Sequence, residues 1–492
     1  MRWEWPMRIL MWGLVGVTLW LVGWRTLDPD FGWHVRMGNY ILANGIPQTD
    51  PLSYTMPNFP FIDHEWLTNV LMAVGYERLG MAGLAVVFAV LTLLVVWVAI
   101  PRALWRWADA VVILGVIVFL GRAGVRPQVI DWLFLAILLR VVGEEKVWQK
   151  WKWGVVPFMI LWANLHGGFA MGVAVLGIVL GVKFWEKRRV IIADAGVWIL
   201  AVVGTWINPY GPRLWHEVWM QMTDSNLRWT IAEWQPFFAW MELGFWMLVA
   251  LAGAIVWRYR GETAKWRWAV MGLTLAMGLS SLRHMPLFVV AVWPAAAEGL
   301  KRFYEEISGN REAIRRAVKF YILLLVTIGA LGVYELGMRG WLVVKGQMGL
   351  RYPQEAINWL RKEGSAGEVF AWYGWGGYLD WKMPERRVFI DGRMPSWRWR
   401  SPDPRFADWV FKDYLRATEK GEFGEVFSKY GVEAVLWPNG KMMEPIWWEK
   451  KILEWWKKRR GEGDKKTFFG RLEEAGWKRA YEDEVAVVYV RE

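Results

Sequence analysis

The chain has 492 residues, 55% of them hydrophobic, with 42 tryptophans and no cysteine. Disulfides and thiolate chemistry are excluded, and so is an ordinary soluble domain, because several apolar runs approach the ~20 residues that cross a hydrocarbon core. The net charge of +12 would point to nucleic acid in a soluble protein, but the basic residues here collect in particular loops, as on the cytoplasmic side of a membrane protein, so no nucleic-acid partner is expected.

The first apolar segment lies near 7–24. It lacks a small-residue cleavage site and ends in Trp24 and Arg25, which predicts a retained span and not a cleaved signal. A polar stretch follows, DPDFGWHVRMGNYILANGIPQTDPLSYTMPNFPFIDHEWL, residues 28–67. WLTNVLMAVGYERLG, beginning at Trp66, is too polar to span and predicts a helix lying in the interface. Further apolar segments fall near 83–100, 109–121, 127–143, 154–165, 168–185 and 190–207. Four more lie near 242–257, 266–282, 285–300 and 318–338. The sum is about eleven spans. Tryptophan favours the water–lipid interface, which accounts for part of its excess.

Lysine and arginine give the orientation. Arg102 and Arg106, Arg140 to Lys152, Lys183 to Arg189, Arg258 to Arg267 and Lys301 to Lys319 bound basic loops that share one side, which the positive-inside rule makes cytoplasmic. The N-terminus shares that side. The 28–67 stretch and the C-terminal region then lie outside, and His34, His64, His166, His216 and His284 all fall at outward loops or outward span ends. From about 345 helical and strand periodicities alternate, as in a soluble α/β domain. PQEAINWLRKEG reads as a helix, GEVFAWYGW as a strand, RRVFIDGR as a strand and FADWVFKDYLRAT as a helix. FGEVFSKYG reads as a helix, VEAVLWP as a strand, and the tail as two strands.

Acids beside a membrane are expensive unless solvated, paired or liganding. Asp28 and Asp30 flank Pro29; they can bind a divalent cation or take a proton from an acceptor, or they can form a solvated turn. Asp63, His64 and Glu65 precede a helix, where Asp63 can cap it. Glu233 stands among aromatic residues in a long outward loop. Arg283 and His284 mark a short outward turn, and Arg122 and Arg126 another; arginine there can hold a phosphate or snorkel to headgroups. His166 precedes Gly167 and Gly168, a glycine pair that suits close packing.

In order along the chain these pieces resemble the GT-C superfamily of polytopic glycosyltransferases, most of all the catalytic subunit of oligosaccharyltransferase. The likeness rests on the acid opening DPDFGWHVRMGNYILANG, on TIAEWQP around Glu233, on SLRHMPLF around Arg283, and on AWYGWGGYLDW in the soluble domain. It departs in two places. GRAGVRPQ is basic where the family has an acidic pair, and Gly374 stands where the soluble-domain motif has an aspartate.

The resemblance implies a polytopic α-helical membrane domain of GT-C type over 1–344, with a catalytic first outside loop at 25–66. An extracytoplasmic α/β domain over 345–492 follows. The implied activity is transfer of a sugar or oligosaccharide from a polyprenyl-phosphate or pyrophosphate lipid to a protein, lipid or glycan acceptor, with inversion. Asp30, Asp28 and Glu233 are the implied catalytic acids. Arg283, Arg122, Arg126 and His284 are candidates for the donor phosphate. Trp372, Tyr373, Trp375 and Tyr378 are candidates for the acceptor side. Asp30, His64, Glu65 and Glu233 are candidates for Mg2+ or Mn2+, with a metal-independent mechanism as the alternative. Two other functions fit the pattern: transfer of a single sugar to a lipid or cell-envelope glycan, and a non-catalytic transporter or assembly subunit for a lipid-linked glycan.

Overall fold

The computed structural model describes residues 4–188, 190–236, 242–344, 351–363, 367–439 and 468–491. Runs of leucine, alanine and valine broken by short polar turns favour helix over strand at these lengths, and every apolar segment read above is helical. In chain order, α1 is Glu4–Arg25, α2 Phe31–Asn44 and α3 Trp66–Ala99. Next come α4 (Asp109–Leu120), α5 (Gln128–Gly143) and the short α6 (Glu145–Trp151). They lead to α7 (Val155–Leu165), α8 (Phe169–Lys187) and α9 (Ile192–Gly204). A loop carries α10 (Arg213–Thr223) and α11 (Ser225–Thr230). The last long helices are α12 (Leu243–Arg258), α13 (Lys265–Ser280), α14 (Met285–Ile307) and α15 (Arg311–Val344).

Two of these, α3 and α8, are long and apolar enough to cross a membrane, and α4, α9, α12 and most of α1 are shorter apolar helices. Within α3 the chain turns at Gly80, whose φ is 64°, a left-handed value that costs glycine little and other residues more. The turn separates the more polar half that begins at Trp66 from the apolar half that ends at Ala99.

The chain forms two compact units. One holds residues up to Asp28 and from Ile62 through α15, and the other holds Pro29–Phe61 with the C-terminal part. In this division most of the 25–66 loop groups with the C-terminal residues. In the helical unit tryptophans fill the core as well as the margins. Trp132, Trp162 and Trp293 are fully buried, while Trp185 and Trp219 are largely exposed. The Trp293 indole donates to the Val111 carbonyl at 2.7 Å, and Phe119 stacks on Trp132 at 5.0 Å.

The second unit continues with α16 (Gln354–Glu363), β1 (Glu368–Ala371), α17 (Gly376–Lys382), α18 (Val410–Thr418) and α19 (Phe423–Tyr430). It closes with β2 (Val432–Pro438), α20 (Phe468–Glu474), β3 (Lys478–Glu482) and β4 (Ala486–Val490). The sheet order is β1-β2-β4-β3. β1 and β2 are parallel, and β4 runs antiparallel to both of its neighbours. Helix α2 packs on α17 so closely that a Cβ on Gly32 would lie 1.9 Å from the Gly377 carbonyl oxygen. Phe31 meets Trp381 edge-on at 5.3 Å.

RRVFIDGR is not a sheet strand. Val388 makes an isolated parallel bridge with Ser53. The cause is a charge cluster next to it. Arg393, 3% exposed in its side chain, pairs with Asp391 at 2.6 Å and Asp50 at 2.8 Å. Its guanidinium lies 5.8, 5.2 and 5.3 Å from the rings of Trp33, Phe61 and Trp397. These contacts draw the segment towards residues 50–61 and away from the sheet. Arg393→Met leaves two buried carboxylates without their cation, and loss of one partner of a buried pair costs about 3–5 kcal/mol. Limited proteolysis of the full chain under rising temperature is expected to cleave the second unit of this variant well before that of the wild type.

Candidate active site

The site is assembled from turns at one end of the helical unit. Gly121 to Pro127 join α4 to α5, a short turn at Ala232–Trp234 follows α11, and Leu282–His284 join α13 to α14. Exposed backbone groups at such turns need partners, and here the turns supply them to one another. The Ser281 hydroxyl donates to the Glu233 carbonyl at 3.0 Å. The Leu282 N–H donates to the Gln235 carbonyl at 3.2 Å. Arg122 Nε donates to the Leu282 carbonyl at 2.7 Å. TIAEWQP and SLRHMPLF, far apart in sequence, are therefore neighbours.

Arg126 forms ion pairs with both Asp28 and Glu233. Arg122 pairs with Glu242 at 2.9 Å. Burial alone would raise the half-buried Glu233, but Arg126, Arg283 and Arg122 outweigh it and hold the carboxyl below the usual glutamate range. Arg283 stacks on the Trp234 ring at 4.5 Å and makes no ion pair among the described residues. A cavity of about 210 Å3 is walled by Arg122, Arg126, Glu233, Glu242, Arg283 and Trp132. A water needs about 30 Å3, so the cavity can take a phosphate-sized group. A larger apolar cavity of about 1030 Å3 lies at the other end of α4, beside Arg106 and Trp107, and is lined mainly by alkyl and aromatic groups such as Leu251, Ile255 and Phe303.

A second cluster lies in the same unit. Asp131, near the start of α5, sits 2.6 Å from His166 Nδ1 and accepts from the Trp162 indole at 2.7 Å. The fit requires Gly168, where a Cβ would lie 2.2 Å from the Asp131 carboxyl; the glycine pair does serve close packing. His166 Nε2 is 3.7 Å from Glu65, whose other oxygen is 3.4 Å from His64 Nε2. Burial raises Glu65 to about 7, with His166 and Arg283 opposing and Asp63 and Asp131 adding. For His166, burial lowers the basicity but Asp131 and Glu65 prevail, and the imidazole stays above its usual range. Asp63 accepts from the Glu65 N–H at 3.1 Å and from Asn69 at 2.8 Å, fixing the chain just ahead of α3. Asp131 escaped the sequence reading. Its signal was an acid inside an apolar run, which lipid-facing helices rarely tolerate.

The expected site residues divide as follows. Asp28, Arg122, Arg126, Glu233 and Arg283 are gathered at the turns. Asp30 precedes α2 in the second unit, its carboxyl so close to Gly392 that a Cβ there would lie 1.8 Å from it. His284 packs edge-on to Trp234 at 5.9 Å, and burial with Arg283, Arg228 and His166 pushes it down to about 3. Trp375 is fully buried and Tyr378 nearly so. The Trp375 indole donates to the Arg351 carbonyl and the Tyr378 hydroxyl to Gln354, which makes both part of the core of the second unit. Trp372 and Tyr373 are half-buried. Among the described residues no group of three or more His, Asp or Glu is placed to hold a metal ion, so Asp30, His64, Glu65 and Glu233 do not form one such set.

No protein-family model matches the sequence and no curated protein does. Solved structures match the fold. The oligosaccharyltransferase of Archaeoglobus fulgidus in its apo form gives a TM-score of 0.56 at 11% identity, over 89% of this chain and 70% of that one. The same protein tethered by a disulfide to an acceptor peptide containing the NVT sequon gives 0.57 at the same identity and coverage. Archaeal oligosaccharyltransferase AglB from Archaeoglobus fulgidus, in complex with an inhibitory peptide and a dolichol-phosphate, gives 0.54 at 11% identity over 88% and 70%. With its apolar helical unit, small α/β unit and these matches over most of its length, the chain has the fold of these archaeal oligosaccharyltransferase structures.

Proposed function

We propose that this protein is a multi-pass membrane glycosyltransferase that takes a sugar or oligosaccharide from a polyprenyl-phosphate-type lipid and transfers it to an acceptor on the extracytoplasmic side. The observation that carries this reading is Arg283, a guanidinium without an ion pair among the described residues. It stands at the wall of a cavity where Arg126 joins Asp28 to Glu233. The dolichol-phosphate and acceptor peptide bound by the archaeal proteins of this fold support a lipid-phosphate donor and a separate acceptor. Basic loops support the orientation.

The acceptor nucleophile attacks the anomeric carbon as the bond to the phosphate oxygen breaks, its proton passes to a carboxylate, Asp28 or Asp30 being the candidates, and the configuration inverts. Negative charge grows on the departing phosphate, so a fixed guanidinium stabilises the transition state more than the ground state. Arg283 supplies it, and its forked donors suit phosphate oxygens. Asp28 orients the acceptor, with Asp30 as the second candidate. Trp372 and Tyr373 are the acceptor-side aromatic residues with exposed surface. Acceptor class, whether protein, lipid or glycan, follows from the partner the second unit selects.

The carboxylates do not fit Mg2+ or Mn2+. Either ion needs a shell of oxygens, and Arg126 already bonds both Asp28 and Glu233. In this reading the guanidinium supplies the positive charge between the two acids.

Two outcomes test the proposal. Membranes holding the protein and a radiolabelled polyprenyl-phosphate sugar should move label from the lipid donor into another product. Arg283→Ala should slow that transfer by about 10²–10³, the usual cost of one transition-state donor, with Asp28→Asn, Asp30→Asn and Glu233→Gln as companions. Label that stays on the donor with wild-type protein, or a rate indifferent to every one of these changes, refutes it. A chelator of divalent ions should leave the rate unchanged, and a rate restored only by added Mg2+ or Mn2+ would refute the role given to Arg126.

A further inference from the structure

The cavity at the other end of α4 is not used by the transfer as described. It holds about 1030 Å3, at the upper edge of the ~300–1000 Å3 usual for ligand pockets, whereas close-packed interiors leave few voids larger than a water. Helix periodicity explains its apolar walls. Met247, Leu251 and Ala254 lie at i, i+4 and i+7 on α12. Leu300, Phe303 and Ile307 lie at i, i+3 and i+7 on α14. Each helix therefore turns one alkyl or aromatic stripe towards the space, and the first turns of α15 add Ala313 and Ile314. Phe303 and Tyr304 stay 36% and 43% exposed in that wall, so no described part of the chain covers them.

The polar groups of the lining are unevenly matched. The Asn310 side chain accepts from the Glu312 and Ala313 N–H groups at 3.0 Å each, and Glu312 pairs with Arg316. These three satisfy one another. Arg106, in the turn before α4, is exposed, and its guanidinium lies 5.2 Å from the Trp107 ring. It makes no ion pair among the described residues. Trp107 packs on Tyr304 at 4.7 Å, and its indole N–H is buried with no acceptor among the described residues. One cation and one N–H donor are left over beside an apolar slot. A buried donor without an acceptor is destabilising, and both groups are satisfied by the same partner, an anionic oxygen.

We propose that this cavity binds an anionic phospholipid of the cytoplasmic leaflet, with a hydrocarbon chain between α12 and α14 and the phosphate at Arg106 and the Trp107 N–H; this rests on the membrane reading above. Location and chemistry agree. The turn before α4, the end of α12 and the start of α15 carry Arg106, Arg258 and Arg311. These belong to the basic loops of the side given as cytoplasmic, where anionic lipids collect and basic pockets between helices hold their headgroups. Tryptophan at that depth keeps its ring in hydrocarbon and its N–H among polar groups. Other occupants fit less well. A second copy docking by the same face would set arginine against arginine. The sugar donor places its phosphate at Arg283, beyond the opposite end of α4, and so brings no anion to Arg106.

The test needs no sugar donor. The full chain is purified into phosphatidylcholine nanodiscs that hold a small share of phosphatidylglycerol with a photoactivatable diazirine at the end of one chain. Crosslinked peptides are mapped by mass spectrometry. Adducts should concentrate on the peptides that hold Leu251 and Phe303. Unlabelled phosphatidylglycerol should displace the probe, and inorganic phosphate should not. The same diazirine chain on a choline headgroup should label these peptides weakly. Arg106→Gln and Trp107→Phe should each weaken labelling about tenfold, the equivalent of one hydrogen bond to a charged group. Leu251→Trp should abolish it by filling the slot with both donors intact. Melting temperatures show which variants are folded, and Arg106→Gln, a change at an exposed side chain, serves if Leu251→Trp is not. Even labelling of every apolar helix, equal labelling by the choline probe, or labelling indifferent to Arg106→Gln and Trp107→Phe overturns the lipid site alone. Displacement by polyprenyl phosphate as effective as by phosphatidylglycerol also overturns it and gives the slot to the donor. A chain that alkaline carbonate washes from membranes overturns the membrane reading and the lipid site together. A chain that holds the lipid but moves no sugar overturns only the transferase, and the lipid site stands.

Discussion

A guanidinium between two carboxylates sets the order of the turns at one end of the helical unit. Arg126 reaches Asp28, just beyond α1, and Glu233, just beyond α11, so three distant segments meet at one side chain. Arginine can do this because its planar fork offers five donors and keeps its charge at any ordinary pH. A lysine in its place would offer a single point of attachment. Around this bridge the named charges balance, with Arg122, Arg126 and Arg283 against Asp28, Glu233 and Glu242. Balance matters at the end of an apolar bundle, where an uncompensated charge loses hydration without regaining it. It also leaves one cation in a distinct state. Arg122 and Arg126 are held by acids, whereas Arg283 rests on the face of Trp234. Cation–π contact is weaker than a charge-assisted pair, so Arg283 is the group an incoming anion can engage at least cost.

The same economy governs the neighbouring cluster. Asp131 lies near the start of a mostly apolar α5, with about one turn of helix behind it and little solvent to meet it. The Trp162 indole and the His166 imidazole satisfy it from other segments. The turn between α7 and α8 must then pass within van der Waals contact of the carboxyl, and a residue larger than glycine at 168 would meet it. A buried polar group of this kind ties three helices to one geometry, because any slippage leaves an acid unsatisfied.

How far the residues themselves announced this arrangement differs from element to element. Apolar length and periodicity marked each long helix, since helix is what such runs form whatever they pack against. The order of TIAEWQP and SLRHMPLF gave their likeness to GT-C sequences, but their adjacency rests on main-chain bonds such as Leu282 to Gln235, which carry no side-chain signature. Arg126 looked like a phosphate ligand because its partners, Asp28 and Glu233, lie far from it in sequence. His284 was named only by its place in an outward turn, because burial is invisible in a string of letters. RRVFIDGR had the alternation of a strand, yet the pull of Asp391 and Arg393 towards Asp50 outweighed it. Asp131 was hidden among apolar neighbours, though an acid there always needs a partner.

The pair Asp28 and Asp30 shows why a short motif is not a site. Read as D-P-D, the two carboxylates suggest one place and one ligand. In the structure Asp28 is committed to Arg126 within the helical unit, while Asp30 opens α2, which packs on α17 within the second unit. Pro29 between them has a fixed φ and no N–H to donate, so it cannot lend a hydrogen bond that would hold the two acids together. Each acid is therefore placed by its own surroundings, one by a guanidinium and the other by the close approach of Gly392. Substituting either one tests a different set of contacts, and equal losses from both would mean that the reaction depends on each unit separately.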